Sequence, residues 1–141
     1  MTRDGASELL ADPHFELLPF EGLYEEAEEL PPGSTVALTA SPEKGVDETI
    51  DRSIELAEMG FEVSTHVAAR AVRSQDHLEE LTDRLKDAGI EDIFVPAGDN
   101  KEPEGPYDSA YALLTDLEAE LGTEFERVGI TGYPEGHQFI D

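Results

Sequence analysis

The sequence predicts an α/β fold built on a parallel sheet. Short apolar runs of strand type alternate with longer runs whose apolar residues recur at helical spacing, and that alternation is the signature of parallel strands joined by helices. Three units share the order helix, glycine, strand. Their glycines are Gly60, Gly89 and Gly122, spaced by roughly thirty residues, the length of one βα unit. The chain has 141 residues, 38% of them hydrophobic, which makes about one domain with enough apolar mass for a core. Asn-Gly hairpin signals are absent, which argues against an all-β fold.

The elements follow in order. Residues 1–13 form a polar N-terminal leader, and residues 14–141 carry the fold. Phe15-Glu16-Leu17-Leu18-Pro19 reads as a short strand stopped by proline. The acidic stretch Glu21 to Leu30 reads as a helix closed by Pro31-Pro32-Gly33. Thr35-Val36-Ala37-Leu38-Thr39 is the second strand, followed by a loop through Gly45. Val46, Ile50, Ile54 and Ala57 recur at helical spacing up to Met59. Gly60 breaks that helix and Phe61 to His66 is the third strand. Ser74 is a plausible cap for a helix with an apolar stripe of Leu78, Leu81, Leu85 and Ala88. Ile93-Phe94-Val95 is the fourth strand. A last helix carries Tyr111, Leu114, Leu117 and Leu121, and Val128 to Pro134 is the fifth strand. A flavodoxin-like open sheet and a (β/α)₈ barrel both satisfy this pattern. A full barrel needs about 250 residues, so only about half of one is present.

Charge excludes several classes of partner. Lys and Arg number 9 against 34 Asp and Glu, a net charge of −25. Nucleic-acid backbones and anionic membranes would be repelled. The acids are spread along periodic apolar segments, which suits a folded protein with an acid-coated surface adapted to high salt better than a disordered tail. The absence of Cys removes disulfides, thiolate metal sites and Cys nucleophiles. No apolar run reaches the roughly 18 residues of a membrane span, and the start of the chain has no signal-peptide core. A cytoplasmic protein is expected.

Ligands of parallel α/β folds bind at the carboxyl ends of the strands. Those ends present Glu16, Thr39, His66, Gly98-Asp99 and Tyr133. Glu16 is flanked by Phe15 and Leu17, and apolar surroundings favour the protonated acid that a general acid requires. A strand Glu pointing to solvent is the plainer reading. Gly98 allows the backbone to approach a ligand closely before Asp99, although a simple turn also explains the pair. His66 and His137 lack any metal-ligand spacing, and His14 and His77 read as incidental. Phosphate-loop, dinucleotide and serine-hydrolase motifs are all missing. The Asp99 to Asp108 loop fails as an EF-hand because Lys101 sits where an oxygen ligand belongs.

These anchors, in this order, resemble the methylenetetrahydrofolate reductase family. Phe15-Glu16-Leu17-Leu18-Pro19 resembles its first-strand motif, Thr39 its threonine after strand two, and His66 its strand-three histidine. Gly98-Asp99 resembles the end of its Arg-Gly-Asp motif, and Tyr133-Pro134-Glu135-Gly136-His137 its Tyr-Pro-Glu-x-His motif. The resemblance implies a (β/α)₈ barrel of which the first five strands are present, a half-barrel. It implies flavin-mediated reduction of 5,10-methylenetetrahydrofolate to 5-methyltetrahydrofolate, in one-carbon metabolism and methionine biosynthesis, with a reduced nicotinamide or related donor. Glu16 would then protonate the folate amine, and Asp99 would orient folate beside the flavin. Thr39, Ala40, His66, Ala97, Gly98, Asp99, Tyr133 and His137 would hold the cofactor. FAD is the implied cofactor. The chain departs from the family at Ala97 (an arginine there), at Ala40 (commonly aromatic) and at Phe20 (commonly proline), which leaves another flavin, a deazaflavin or none as alternatives. A half-barrel has two exposed sheet edges, so self-association or a complementing barrel half is expected. The alternative function is a non-catalytic half-barrel that binds a flavin or pterin, or serves as a subunit.

Overall fold

The computed structural model describes residues 3–140, without the side chains of Arg3, Asp4, Glu8 and Leu9; Met1, Thr2 and Asp141 of the expected segments lie outside it. The leader contains a helix, α1 (Arg3–Ala11). The elements that follow are β1 (His14–Leu17), α2 (Leu23–Glu28), β2 (Thr35–Leu38), α3 (Val46–Glu58) and β3 (Glu62–His66). Then come a short 3₁₀ turn (Ala69–Ala71), α4 (Gln75–Asp87), β4 (Asp92–Val95), α5 (Ala110–Asp116) and β5 (Arg127–Ile130). Among the described residues no helix is long and apolar enough to cross a membrane.

The five strands are all parallel and ordered β1-β2-β3-β4-β5. A flavodoxin-like sheet would reverse direction after its first strands, so that alternative is excluded. Right-handed crossovers that always step the same way place every helix on one face. Burial follows: Leu17, Val36, Leu38, Val63, Ile93 and Val95 join Ile50, Leu56, Leu78, Leu81 and Leu85 in one core. The opposite face carries a cross-strand row of Glu16, Ala37, Ser64, Asp92 and Arg127. Ser64 Oγ donates to Asp92 at 2.8 Å, and Arg127 pairs with the same carboxylate at 2.9 Å.

Local chemistry explains the element ends. Ser74 caps α4 by accepting the His77 N–H at 3.0 Å. Gly60 and Gly89 take positive φ values of 97° and 77°, the left-handed turn that ends a helix before a strand. The last unit departs from the expected stripe. Leu113 and Leu117 are buried while Tyr111 is 81% exposed. A π turn over Leu117–Leu121 follows α5, and its extra residue per turn breaks the 3.6-residue phase that a continuous helix requires. The fifth strand is also shorter than its apolar run, because Thr131 to Pro134 turn away over the strand ends.

Candidate site at the carboxyl ends of the strands

A cavity of about 260 Å³ opens at the carboxyl ends of the strands. Of the expected residues, Thr39, Ala40, His66, Gly98, Asp99, Tyr133 and His137 line it. Its floor is apolar, with Ala68, Ala71 and Pro96, and the start of α3 at Gly45 and Val46 forms one wall.

Each side chain is set by a local feature. Thr39 continues the ladder beyond β2: its N–H donates to Leu17 O at 3.0 Å, and its hydroxyl donates to the same oxygen at 3.3 Å. His66 projects from β3 with its ring 4.7 Å from that of Phe94. The partner of Phe94 in the register is Gly129, where a Cβ would lie 2.5 Å from Phe94 Cδ2. The glycine therefore makes room for the aromatic ring beside His66. Burial holds His66 below the ordinary imidazole range, opposed by the charge of Glu16. Gly98 has φ +93°, and a Cβ there would stand 3.0 Å from Ala68 Cβ. Its backbone thus passes close over the cavity floor and presents Asp99 on the exposed rim.

The segment after β5 folds back to close the site. Tyr133 Oη accepts the Ala97 N–H at 3.0 Å. The His137 ring meets Tyr133 edge-on at 4.9 Å, and Gly136 N–H donates to Tyr133 O at 3.0 Å. This dense five-residue cluster is a folded turn whose two rings face the cavity mouth.

Two expected residues stand outside the lining. Ala97 is buried and contributes through its backbone, its N–H donating to Tyr133 Oη and its carbonyl accepting the Arg70 N–H at 2.9 Å. Glu16 is exposed. Its sequence neighbours Phe15 and Leu17 point to the opposite face, because successive strand residues alternate. Apolar neighbours in sequence are therefore not its surroundings in space. Glu16 lies on the open face, close enough to act on His66 by charge.

Two residues escaped the sequence reading. Arg70 is 3% exposed and gives its guanidinium to three carbonyls: Asn100 O at 2.7 Å, Lys101 O at 2.7 Å and Asp108 O at 3.0 Å. It ties down the loop that carries Asp99 and Asn100. His77, read as incidental, is 5% exposed. Its Nδ1 accepts the Arg73 N–H at 3.0 Å, and its Nε2 lies 3.0 Å from Asp47 Oδ1. The first bond leaves the proton on Nε2, so His77 bridges the starts of α3 and α4. Neither role had a signal at short sequence range, since the partners lie about thirty residues away. Among the described residues no group of His, Asp and Glu is arranged to hold a metal. No protein-family model matches the chain.

Proposed function

We propose that this chain is the N-terminal half of a (β/α) barrel that binds a flavin ring and acts, with a second barrel half, as a methylenetetrahydrofolate-reductase-like oxidoreductase. The observation that carries the reading is the convergence of Thr39, His66, Gly98-Asp99, Tyr133 and His137 on one cavity at the strand ends. These residues come from four separate strand ends, and their sequence motifs resemble one family in the same order. The single-direction strand order and one-sided helices support a barrel segment. The reading places the protein in the cytoplasm.

The lining suits a flat heteroaromatic ring. An apolar floor of Ala40, Ala68, Ala71 and Pro96 lies under a rim of hydroxyl, imidazole and carboxylate groups. The cavity, at about 260 Å³, accepts the ring rather than a whole dinucleotide. Among the described lining residues none is Lys or Arg. The diphosphate of FAD would therefore meet no cationic side chain in this lining, which favours a smaller flavin or a deazaflavin over FAD. When bound, that group supplies the hydride. Asp99 on the rim orients the folate by hydrogen bonding. Glu16, on the same open face as His66, delivers a proton to the folate amine nitrogen. His66, held neutral by its burial, keeps a hydrogen-bonding imidazole at the site without adding a charge.

The binding step is tested by titrating the chain into riboflavin in molar KCl and following fluorescence quenching. Saturable quenching that weakens in Tyr133→Ala supports the reading, and unquenched flavin removes it. Catalysis is tested in the assembled enzyme with Glu16→Gln. A second reading, a ring-binding subunit without catalysis, is favoured by the position of Glu16 outside the cavity lining. Flavin binding without folate turnover in any assembly would select it.

A further inference from the structure

Three of the segments around the cavity leave neighbouring strands: one follows β2, one β3 and one β4. The segments after β3 and β4 are bonded along their length. Ala69 N–H donates to Pro96 O at 3.0 Å, Arg70 N–H to Ala97 O at 2.9 Å, and Glu104 N–H to Arg70 O at 2.9 Å. The Arg70 guanidinium adds its three bonds to the loop at 100–108. The segment after β2, which runs into α3, has no such seam. Among the described residues, every hydrogen bond from residues 40–49 to residues 67–78 ends on one side chain, that of Asp47.

Asp47 lies in the first turn of α3, next to Val46 of the cavity wall. Arg73 Nη1 donates to its Oδ2 at 2.6 Å, and His77 Nε2 donates to its Oδ1 at 3.0 Å. The two bonds differ in weight. The Arg73 side chain is 55% exposed, and an exposed ion pair contributes little and is screened by salt. His77 is buried and fixed at both ring nitrogens, since its Nδ1 accepts the Arg73 N–H. Local capping does not replace this bond. α4 and α5 start on Ser74 and Ser109, whose hydroxyls cap them, whereas α3 starts on Gly45 without a side-chain cap.

Val46, Thr49 and Ile50 are buried and keep α3 on the core. Apolar burial is non-directional, however, and does not by itself fix how far the helix start stands from the facing loops. A directional bond between buried groups does. We infer that His77 is a positioning residue of the cavity: through its bond to Asp47 it fixes the α3 wall against the joined loops after β3 and β4, and so sets the width of the space that holds a ligand ring. That the ring is a flavin rests on the proposed function. The placement of the wall does not.

Two near-isosteric variants separate positioning from simple support of α4. His77→Gln keeps an N–H donor where Nε2 stands and loses the acceptor for Arg73 N–H. His77→Asn keeps an acceptor where Nδ1 stands and no longer reaches Asp47. The chain has no native Cys, so spin labels can be placed at Glu43→Cys and Glu102→Cys, both exposed and outside the lining. Their separation is read by double electron–electron resonance in molar KCl. The distance distribution should stay narrow in His77→Gln and broaden by about 1 Å or more in His77→Asn, the looseness of a site that has lost its support. Arg73→Ala should leave it narrow. Equal widths in the Gln and Asn variants overturn the inference, as does broadening by Arg73→Ala that matches His77→Asn. If circular dichroism shows His77→Asn unfolded, Asp47→Ala removes the same bond from the α3 side, and a narrow distribution there overturns it. Riboflavin affinity should fall about tenfold in His77→Asn, as for lost orienting partners elsewhere, and hold in His77→Gln. Equal affinities in the two variants, with binding in the parent, also overturn it. A parent that does not bind riboflavin removes the functional reading alone, because the label distances still decide this inference.

Discussion

Arg70 shows how much one buried side chain can organise. Its three hydrogen bonds all go to backbone carbonyls of the loop at residues 100–108, and Glu104 N–H returns to Arg70 O at 2.9 Å. Gly105, within this loop, fits against the Val72–Arg73 backbone only because it lacks a side chain, since a Cβ would lie 2.3 Å from Arg73 O. Arg70→Met keeps most of the apolar stem but leaves three carbonyls without their donor. We expect a loss of about 3 kcal/mol or more, in line with unsatisfied buried groups. Urea unfolding measures the loss, and proteolysis should cut first within residues 98–108. A midpoint within error of the parent would show that water replaces the guanidinium at no cost.

Glu16 and His66 make two further predictions at the residue scale. In the assembled enzyme, Glu16→Gln should lower folate turnover by roughly 10²–10⁴-fold, the usual size of general acid catalysis, while flavin reduction by the donor persists. Turnover within a few-fold of the parent would reduce Glu16 to a strand residue. His66 is lowered from its ordinary value of 6.5, chiefly by burial. Its unfolded form therefore binds a proton more readily than its folded form. Stability from this group is complete above the ordinary imidazole value and is lost as pH falls through it. The drop in melting temperature across that range should be smaller in His66→Gln than in the parent, and equal drops in the two proteins would refute the assignment. Asp47 is different. Burial pushes its carboxyl up, but the hydrogen bonds and charges of Arg73 and His77 outweigh that and lower it below 3.8, so its contribution is lost only in stronger acid.

Among the elements, α4 was the most legible. Its cap Ser74 and its stripe of Leu78, Leu81 and Leu85 occur in the structure as the spacing implies. Capping and helical periodicity are short-range, so a sequence shows them directly. α5 was less legible: Leu113, outside the expected stripe, is buried while Tyr111 is exposed, and the π turn after Asp116 shifts the phase of the residues that follow it. β1 shows the limit for sites. Its alternation was readable, but which face would be open depended on where the helices pack. The β4 and β5 pair depends on Gly129, whose missing Cβ admits the Phe94 ring. Gly129→Ala should displace that ring and disturb the His66 stacking, with a cost of about 1–3 kcal/mol as in other overpacked positions. Thermal unfolding checks this, and a neutral result would mean that Phe94 has free space to move.

For the whole molecule, net charge governs stability. With −25 distributed over one small domain, self-repulsion destabilises the compact state when screening is weak. The melting temperature should rise as KCl is raised from millimolar to molar, even though the same salt weakens surface pairs such as Arg52–Glu48, which contribute little each. A flat or falling curve would remove the high-salt reading of the acidic surface.

The order of strands and helices, the glycine stops and the strand-end positions of Thr39, His66, Asp99 and Tyr133 were determined by the sequence alone, because each follows from periodicity or turn chemistry within a few residues. Strand order and which side chains meet were decided only by the tertiary structure. A sequential sheet and a flavodoxin-like sheet share one sequence pattern, and it is the pairing of β2 with β3, where a flavodoxin-like sheet pairs β1 with β3, that separates them. In the same way the Arg70 clamp, the His77–Asp47 bridge and the exposed setting of Glu16 arise from contacts between distant segments. Their energies come from burial and hydrogen bonding that exist only once the helices have packed on one face of the sheet.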